Sequence, residues 1–219
     1  MMFKDRFDEG RVFGVDNVKT YTFKSYIFLV AAFLGLLLCA GCGRSEEDRN
    51  ETTIIIDNKG GITHRIVESF DKDYYSEDEL RDDINRELED YCRGKDEKSA
   101  KLNSLEIREG VATAEIKFAG YEDYAAFNDV DLFYGTIREA MAKEYPTDVT
   151  LKGRGDDEET IGKYEFESMG DSMLVVVSEP VVVELPKKIA YTTANMDIID
   201  DDKARMASDS VGLGYIVLK

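Results

Sequence analysis

The sequence predicts an α+β fold: an antiparallel sheet with helices on one face, in the order ββαββα, followed by a β-rich C-terminal part. Three observations predict it. Within residues 52–146, two pairs of β-branched runs are each followed by a helix signal. From residue 147 to 219 the signals are strands only, read as a continuation of the first sheet or as a small second domain. Residues 1–41 are different in kind, because they hold the longest uncharged apolar run in the chain.

The first strand pair is Thr52–Ile56 and Ile62–Ser69, joined by a turn at Asn58-Lys-Gly-Gly61. A helix over 76–92 follows. Ser76 and Glu79 have the spacing of a capping box, with Tyr75 and Leu80 placed for a hydrophobic staple. Leu80, Ile84, Leu88 and Cys92 recur every fourth residue, which makes one helix face apolar, and Gly94 stands where the helix should stop. Cys92 on that stripe reads as inert packing, since nothing nearby would activate its thiol.

The second pair is Ser104–Arg108 and Val111–Phe118, turning at Glu109-Gly110. Strict alternation puts Ala112, Ala114, Ile116 and Phe118 on one face. Helical segments are expected at Tyr121–Phe127 and over 133–144, stopped by Tyr145-Pro146. Beyond that come strands at Lys163–Glu167, Met173–Val177, Val181–Leu185, Ile189–Thr193, Asp197–Ile199 and Gly214–Leu218. The runs LVVV and VVV predict strands buried on both faces or facing an interface.

The apolar run is Tyr26–Leu38, YIFLVAAFLGLLL. At about 13 residues it falls short of the ~20 a spanning helix needs, but it suits the hydrophobic region of a secretory signal. Lys19 and Lys24 precede it with no acid after Asp16, an arrangement that keeps the N-terminus in the cytoplasm and exports the rest. Residues 1–41 therefore read as a signal peptide with a long n-region. Its end, Leu38-Cys39-Ala40-Gly41-Cys42, resembles the lipobox of bacterial lipoproteins, in which small residues precede a cysteine that is diacylated before cleavage ahead of it. The resemblance makes Cys42 the lipidation site and residues 42–51 a lipidated cysteine followed by a polar linker. Cys39 stands where the pattern usually has an aliphatic residue, and as a small hydrophobe it suits that place. A redox or zinc role for Cys39 and Cys42 fits less well. Neither a βα context nor two further ligands accompanies them.

The layout extends the resemblance. A lipobox, a strand pair with a Lys-Gly-Gly turn, FDKDYYSEDEL, YEDYAAFNDVDLFYGTIREA and a closing GLGYIVLK together resemble a group of uncharacterised lipoproteins of clostridia-type Gram-positive bacteria, and more distantly LppM-type lipoprotein domains. The likeness covers most of residues 40–219, implies membrane anchoring and an α+β domain, and brings no activity with it.

Charge and residue inventory narrow the chemistry. The 219 residues carry 46 acids against 28 bases, a net of −18. Residues 1–42 hold five bases and four acids, so the remainder is a polyanion of net −19. Nucleic acid is a poor partner for it. The single histidine, His64, shares a strand face with Ile62 and Ile66 and reads as packing. Nucleotide-binding, nucleophile-elbow and zinc-protease motifs are absent from the sequence. Asp71-Lys-Asp73 begins like a calcium loop, but Tyr75 and Ser76 occupy later loop positions that call for a ligand and a glycine. Asp200-Asp-Asp202 and Gly155-Asp-Asp-Glu158 read as solvated loop tips. Tyr121, Tyr124 and Phe127 could form a stacking surface, though such spacing more often anchors a helix in its core.

The expectation is therefore a membrane-anchored extracytoplasmic lipoprotein with a non-catalytic binding or envelope-interaction role. No catalytic, cofactor or metal residues are assigned. Its partners would be the membrane, through the N-terminal lipid, and an envelope protein or cell-wall polymer. The alternative is a carboxylate-based hydrolase acting on cell-wall polymers, a class that needs two carboxylates across a cleft.

Overall fold

The turn at 57–61 sets the first register. In the computed structural model, which describes residues 51–72, 75–96, 98–154 and 159–219, Asp57 Oδ1 accepts from the backbone N–H groups of Lys59 and Gly61 at 2.7 and 3.0 Å. Gly60 takes φ +83, a conformation glycine adopts without a Cβ clash. β1 (Thr53–Ile56) and β2 (Ile62–Ser69) then pair antiparallel, with Ile54 opposite His64 and Ile56 opposite Ile62. Cys42, the signal segment and residues 43–50 of the linker lie outside the described residues, as do Asp73 and residues 155–158.

Helix α1 (Glu77–Cys92) begins at Ser76, whose hydroxyl accepts from Glu79 N–H. It buries Ile84 and Leu88 of the four-residue stripe, and Gly94 follows its end at φ +84. Two side-chain bonds fasten it to the edge of the next strand. Arg81 donates to Leu105 O at 3.3 Å, and the Cys92 thiol donates to Ala100 O at 3.4 Å. That strand, β3 (Ala100–Arg108), starts four residues before the expected point and pairs with β4 (Val111–Phe118) across Glu109-Gly110, both at positive φ. Two such residues match a turn whose twist suits a tight hairpin. Ala112, Ala114, Ile116 and Phe118 are all buried on one face.

Helix α2 (Tyr121–Asn128) stands where expected. The helix expected over 133–144 is instead β5 (Leu132–Thr136) followed by α3 (Ile137–Ala142). The junction is Thr136. Its hydroxyl accepts from Glu139 N–H while the Glu139 carboxylate accepts from Thr136 N–H, so helix begins only there. Ahead of it, Leu132–Thr136 finds a partner strand in Met173–Val177. A second correction concerns the expected strand at Lys163–Glu167. It is helix α4 (Lys163–Ser168), started by Glu165, which accepts from Gly162 N–H. Short strands β6 (Leu151–Gly153), β7 (Thr160–Ile161) and β12 (Lys203–Met206) complete the set with β8 (Met173–Val177), β9 (Val182–Glu184), β10 (Ile189–Thr193), β11 (Met196–Asp200) and β13 (Gly214–Leu218).

Among the described residues these strands form two sheets, and the fold is α+β with strands predominating. The seven-stranded sheet has the order β11-β12-β9-β1-β2-β4-β3, and the six-stranded sheet β5-β8-β13-β10-β6-β7. The first is mixed and not purely antiparallel, because β1 and β9 run parallel with Thr53 beside Val182. Strands after residue 147 thus enter both sheets.

β8 and β13 are buried along their length, apart from Met173 at the start of β8. Leu174, Val176, Tyr215 and Val217 pack with Phe133, with Ile137 and Ala140 of α3, and with Phe166 of α4. Val175, Val177, Gly214 and Ile216 point the other way. There Gly214 lies so near Met196 of β11 that a Cβ would sit well inside van der Waals contact with the sulfur. Each valine or leucine buried in this way contributes about 1.5–3 kcal/mol, so the run LVVV is central to the core. No helix among the described residues is long and apolar enough to cross a membrane.

Candidate functional site

Three titratable groups meet where α2 crosses the seven-stranded sheet. β2 alternation turns His64 inward beside Ile62 and Ile66, leaving it 6 % exposed. Tyr124, fully buried on α2, sets its ring edge-on to both His64 (5.1 Å between centroids) and Phe118 (5.4 Å). Its hydroxyl donates to Glu179 Oε1 at 2.7 Å.

Burial shapes all three. It lowers the His64 pKa to about 4, so the ring is neutral at pH 7, and it leaves Nδ1 without a hydrogen-bond partner. Burial pushes the Tyr124 hydroxyl well above its ordinary range, helped by the neighbouring Glu179 charge. It also raises the Glu179 carboxyl, partly offset by the bond from Tyr124. A nucleophile and base would need a hydrogen bond between them and access for substrate. Here the imidazole meets the phenol ring, not its hydroxyl, and both side chains are sealed in the core. The arrangement fastens α2 to the β8–β9 loop.

The aromatic stripe on α2 resolves as packing. Tyr124 is interior, Phe127 lies against Phe118 and Tyr91, and Tyr121 lies against Phe133. Cations cover the outer rim. Lys95 sits 3.7 Å over the Tyr91 ring, and Lys143 bonds Glu122 beside Tyr121.

In the acidic loop at 200–202, Asp201 is paired with cations from neighbouring segments. Asp201 bonds Lys188 and Arg154, which hold its carboxyl below the usual carboxylate range, Lys188 contributing most. Asp71 pairs with Lys72. Among the described residues no group of three or more His, Cys, Asp or Glu side chains could hold a metal ion.

The solvent face of the seven-stranded sheet is the remaining candidate surface. Register places Thr63, Arg65, Glu115, Lys117, Lys101, Ser104 and Arg205 there, opposite the face that carries Ile54, His64 and Ile116. Arg65 bonds Glu115 through Nε and Nη2 at 3.3 and 3.2 Å, and Asn103 donates to the other oxygen of Glu115 at 3.1 Å. Arg205 pairs with Glu51, the last residue of the linker and its one described residue. Sequence reasoning did not find this face, because its composition emerges only when seven strands are laid in register. No family model, curated protein or solved structure matches the chain.

Proposed function

We propose that this chain is a membrane-anchored extracytoplasmic lipoprotein, lipidated at Cys42, whose α+β domain has a non-catalytic role in binding or envelope interaction. One observation carries the reading: an uncharged apolar run of signal-peptide length ends directly in Leu38-Cys39-Ala40-Gly41-Cys42. The domain chemistry supports it, since the histidine and the most deeply buried tyrosine are committed to packing. On this reading the ββαββα run gathers its helices on one face of an extended sheet, and the other face is left for contact with the envelope.

The test is metabolic labelling with a clickable fatty acid, comparing the full chain with Cys42→Ala. Label on the wild type that is lost in Cys42→Ala is the expected result. An unlabelled wild type overturns the anchor.

The alternative, a carboxylate hydrolase of cell-wall polymers, draws on the raised carboxyls of Glu68 and Glu179, both caused by burial. Wall-polymer hydrolysis by the purified chain, abolished in Glu179→Gln and retained in Cys42→Ala, would replace the non-catalytic reading.

A further inference from the structure

Lys101 and Lys117 are direct cross-strand partners in the β3–β4 pair, both exposed on the solvent face of the seven-stranded sheet. Like charges so placed are destabilising. In a chain with 46 acids against 28 bases, an acid opposite either lysine would remove the repulsion. None is there. The nearest carboxylate along β4 on that face, Glu115, is taken by Arg65 and Asn103. Farther along β3, Glu106 is taken by Arg108. The side chains of Lys101 and Lys117 have no ion pair among the described residues.

Protection of a sheet edge against strand addition explains a lysine on β3, the last strand of the sheet. It does not explain Lys117, which lies one strand in. Nor does it explain Lys59, exposed in the turn beyond Ile56 and Ile62, at the same end of the sheet as the lysine pair. At one end of the sheet of a polyanionic domain, two exposed lysines thus share the solvent face and a third stands in the turn beyond it, none of them in an ion pair among the described residues.

We propose that this lysine end of the open sheet face docks onto the anionic headgroups of the membrane that anchors the chain, an inference that rests on the lipoprotein reading. Charge complementarity selects an anionic surface. The tether favours the membrane as its source. From Cys42 to Glu51 the chain can extend at most about 30 Å, and Glu51 meets the sheet on its solvent face through Arg205. The anchor holds the lysines at high effective concentration near headgroups, which offsets the long-range repulsion expected from the rest of the domain. Lipid and basic patch then act as two weak signals that together fix orientation.

The experiment uses the full lipidated chain reconstituted in vesicles of mixed phosphatidylglycerol and phosphatidylcholine, or of phosphatidylcholine alone. A membrane-impermeant amine acylating reagent is added and each lysine is read by mass spectrometry. In the anionic vesicles, acylation of Lys59, Lys101 and Lys117 should slow by about fivefold per site, the scale of one lysine held near an anionic surface. High salt should reverse the effect. Lys152 and Lys187, exposed elsewhere, should be unchanged. In Lys101→Gln/Lys117→Gln, which removes a repulsion and so does not threaten folding, Lys59 should lose its protection.

Equal acylation in both lipids overturns the docking face. So does protection by a soluble anionic wall polymer without protection by vesicles. Fatty-acid label missing from Cys42 overturns the anchor and with it tethered docking. The two failures are separable, because the label is read independently of the lysines.

Discussion

The Tyr124 hydroxyl donates a 2.7 Å hydrogen bond to Glu179, joining α2 on the first sheet to the loop that leaves β8 of the second and enters β9 of the first. The Glu179 carboxylate is half-buried, and the tyrosine is its hydrogen-bonding side-chain partner. Tyr124→Phe keeps the ring contacts with His64 and Phe118 but leaves that carboxylate without its donor, for a loss of about 1–3 kcal/mol. The sign with pH is specific. Burial raises the folded-state pKa of Glu179 above its unfolded value, so its contribution is greatest below the unfolded pKa and is lost as pH rises through the folded one. Denaturant unfolding of Tyr124→Phe should therefore show a larger deficit at pH 8 than at pH 4.5.

His64 acts in the opposite direction. Its pKa falls from 6.5 in the unfolded chain to about 4 in the fold, through burial. Between those values the unfolded chain binds the proton and the native one does not, so stability falls as pH drops from 6.5 toward 4. The slope is ~1.4 kcal/mol per pH unit, about 3 kcal/mol over the window. His64→Leu should flatten this part of the stability curve. It should also gain stability at pH 7 by removing an unpartnered buried Nδ1. Urea midpoints of both chains across pH 4–7 decide the matter, and parallel curves would reject the assignment.

Gly214 is where β11 of one sheet closes on β13 of the other. An alanine Cβ there would collide with Met196 and approach Val177 at 3.4 Å. Gly214→Ala should lose about 1–3 kcal/mol by overpacking. Because Met196 is the obstacle, Met196→Ala in the same chain should recover part of that loss. The double-mutant cycle should then depart from additivity by at least ~0.5 kcal/mol. Additive losses would place the strain elsewhere.

What could be read in the sequence divides along a physical line. Local, periodic signals located β1, β2, α1, β4, α2, β8, β10 and β13, because alternation, four-residue spacing and turn residues act within one element. The Thr136-x-x-Glu139 cap was present in the sequence and would have divided 133–144 correctly, but the apolar residues around it satisfy either period. β12 had no legible signal, since Lys203–Met206 is a strand only by virtue of β9 and β11 on either side. The parallel pairing of β1 with β9 joins residues about 130 apart, and no local pattern reports that. The same holds for Tyr124 and Glu179. The expectation at Cys42 rests on a linear signal, and Cys42 lies outside the described residues.

The lysine pair offers a prediction that separates folding from contact. If Lys101 and Lys117 are retained for an external anion, the fold itself should prefer an opposite charge at either site. Lys117→Glu creates a cross-strand pair with Lys101 and should raise the melting temperature by about 1–2 °C at low salt, shrinking as salt screens the pair. Thr63, its neighbour on β2, adds no competing charge. The same substitution should abolish the protection of Lys59 and Lys101 on anionic vesicles. A purely structural role for the pair would lower stability on substitution and leave protection unchanged. Here they should move in opposite directions: the variant gains stability as a folded chain and loses its hold on the membrane surface. Calorimetry on the full chain beside lysine acylation on vesicles reads both, and a Lys117→Glu chain that is less stable yet still protected would show that the pair serves the sheet and not the surface.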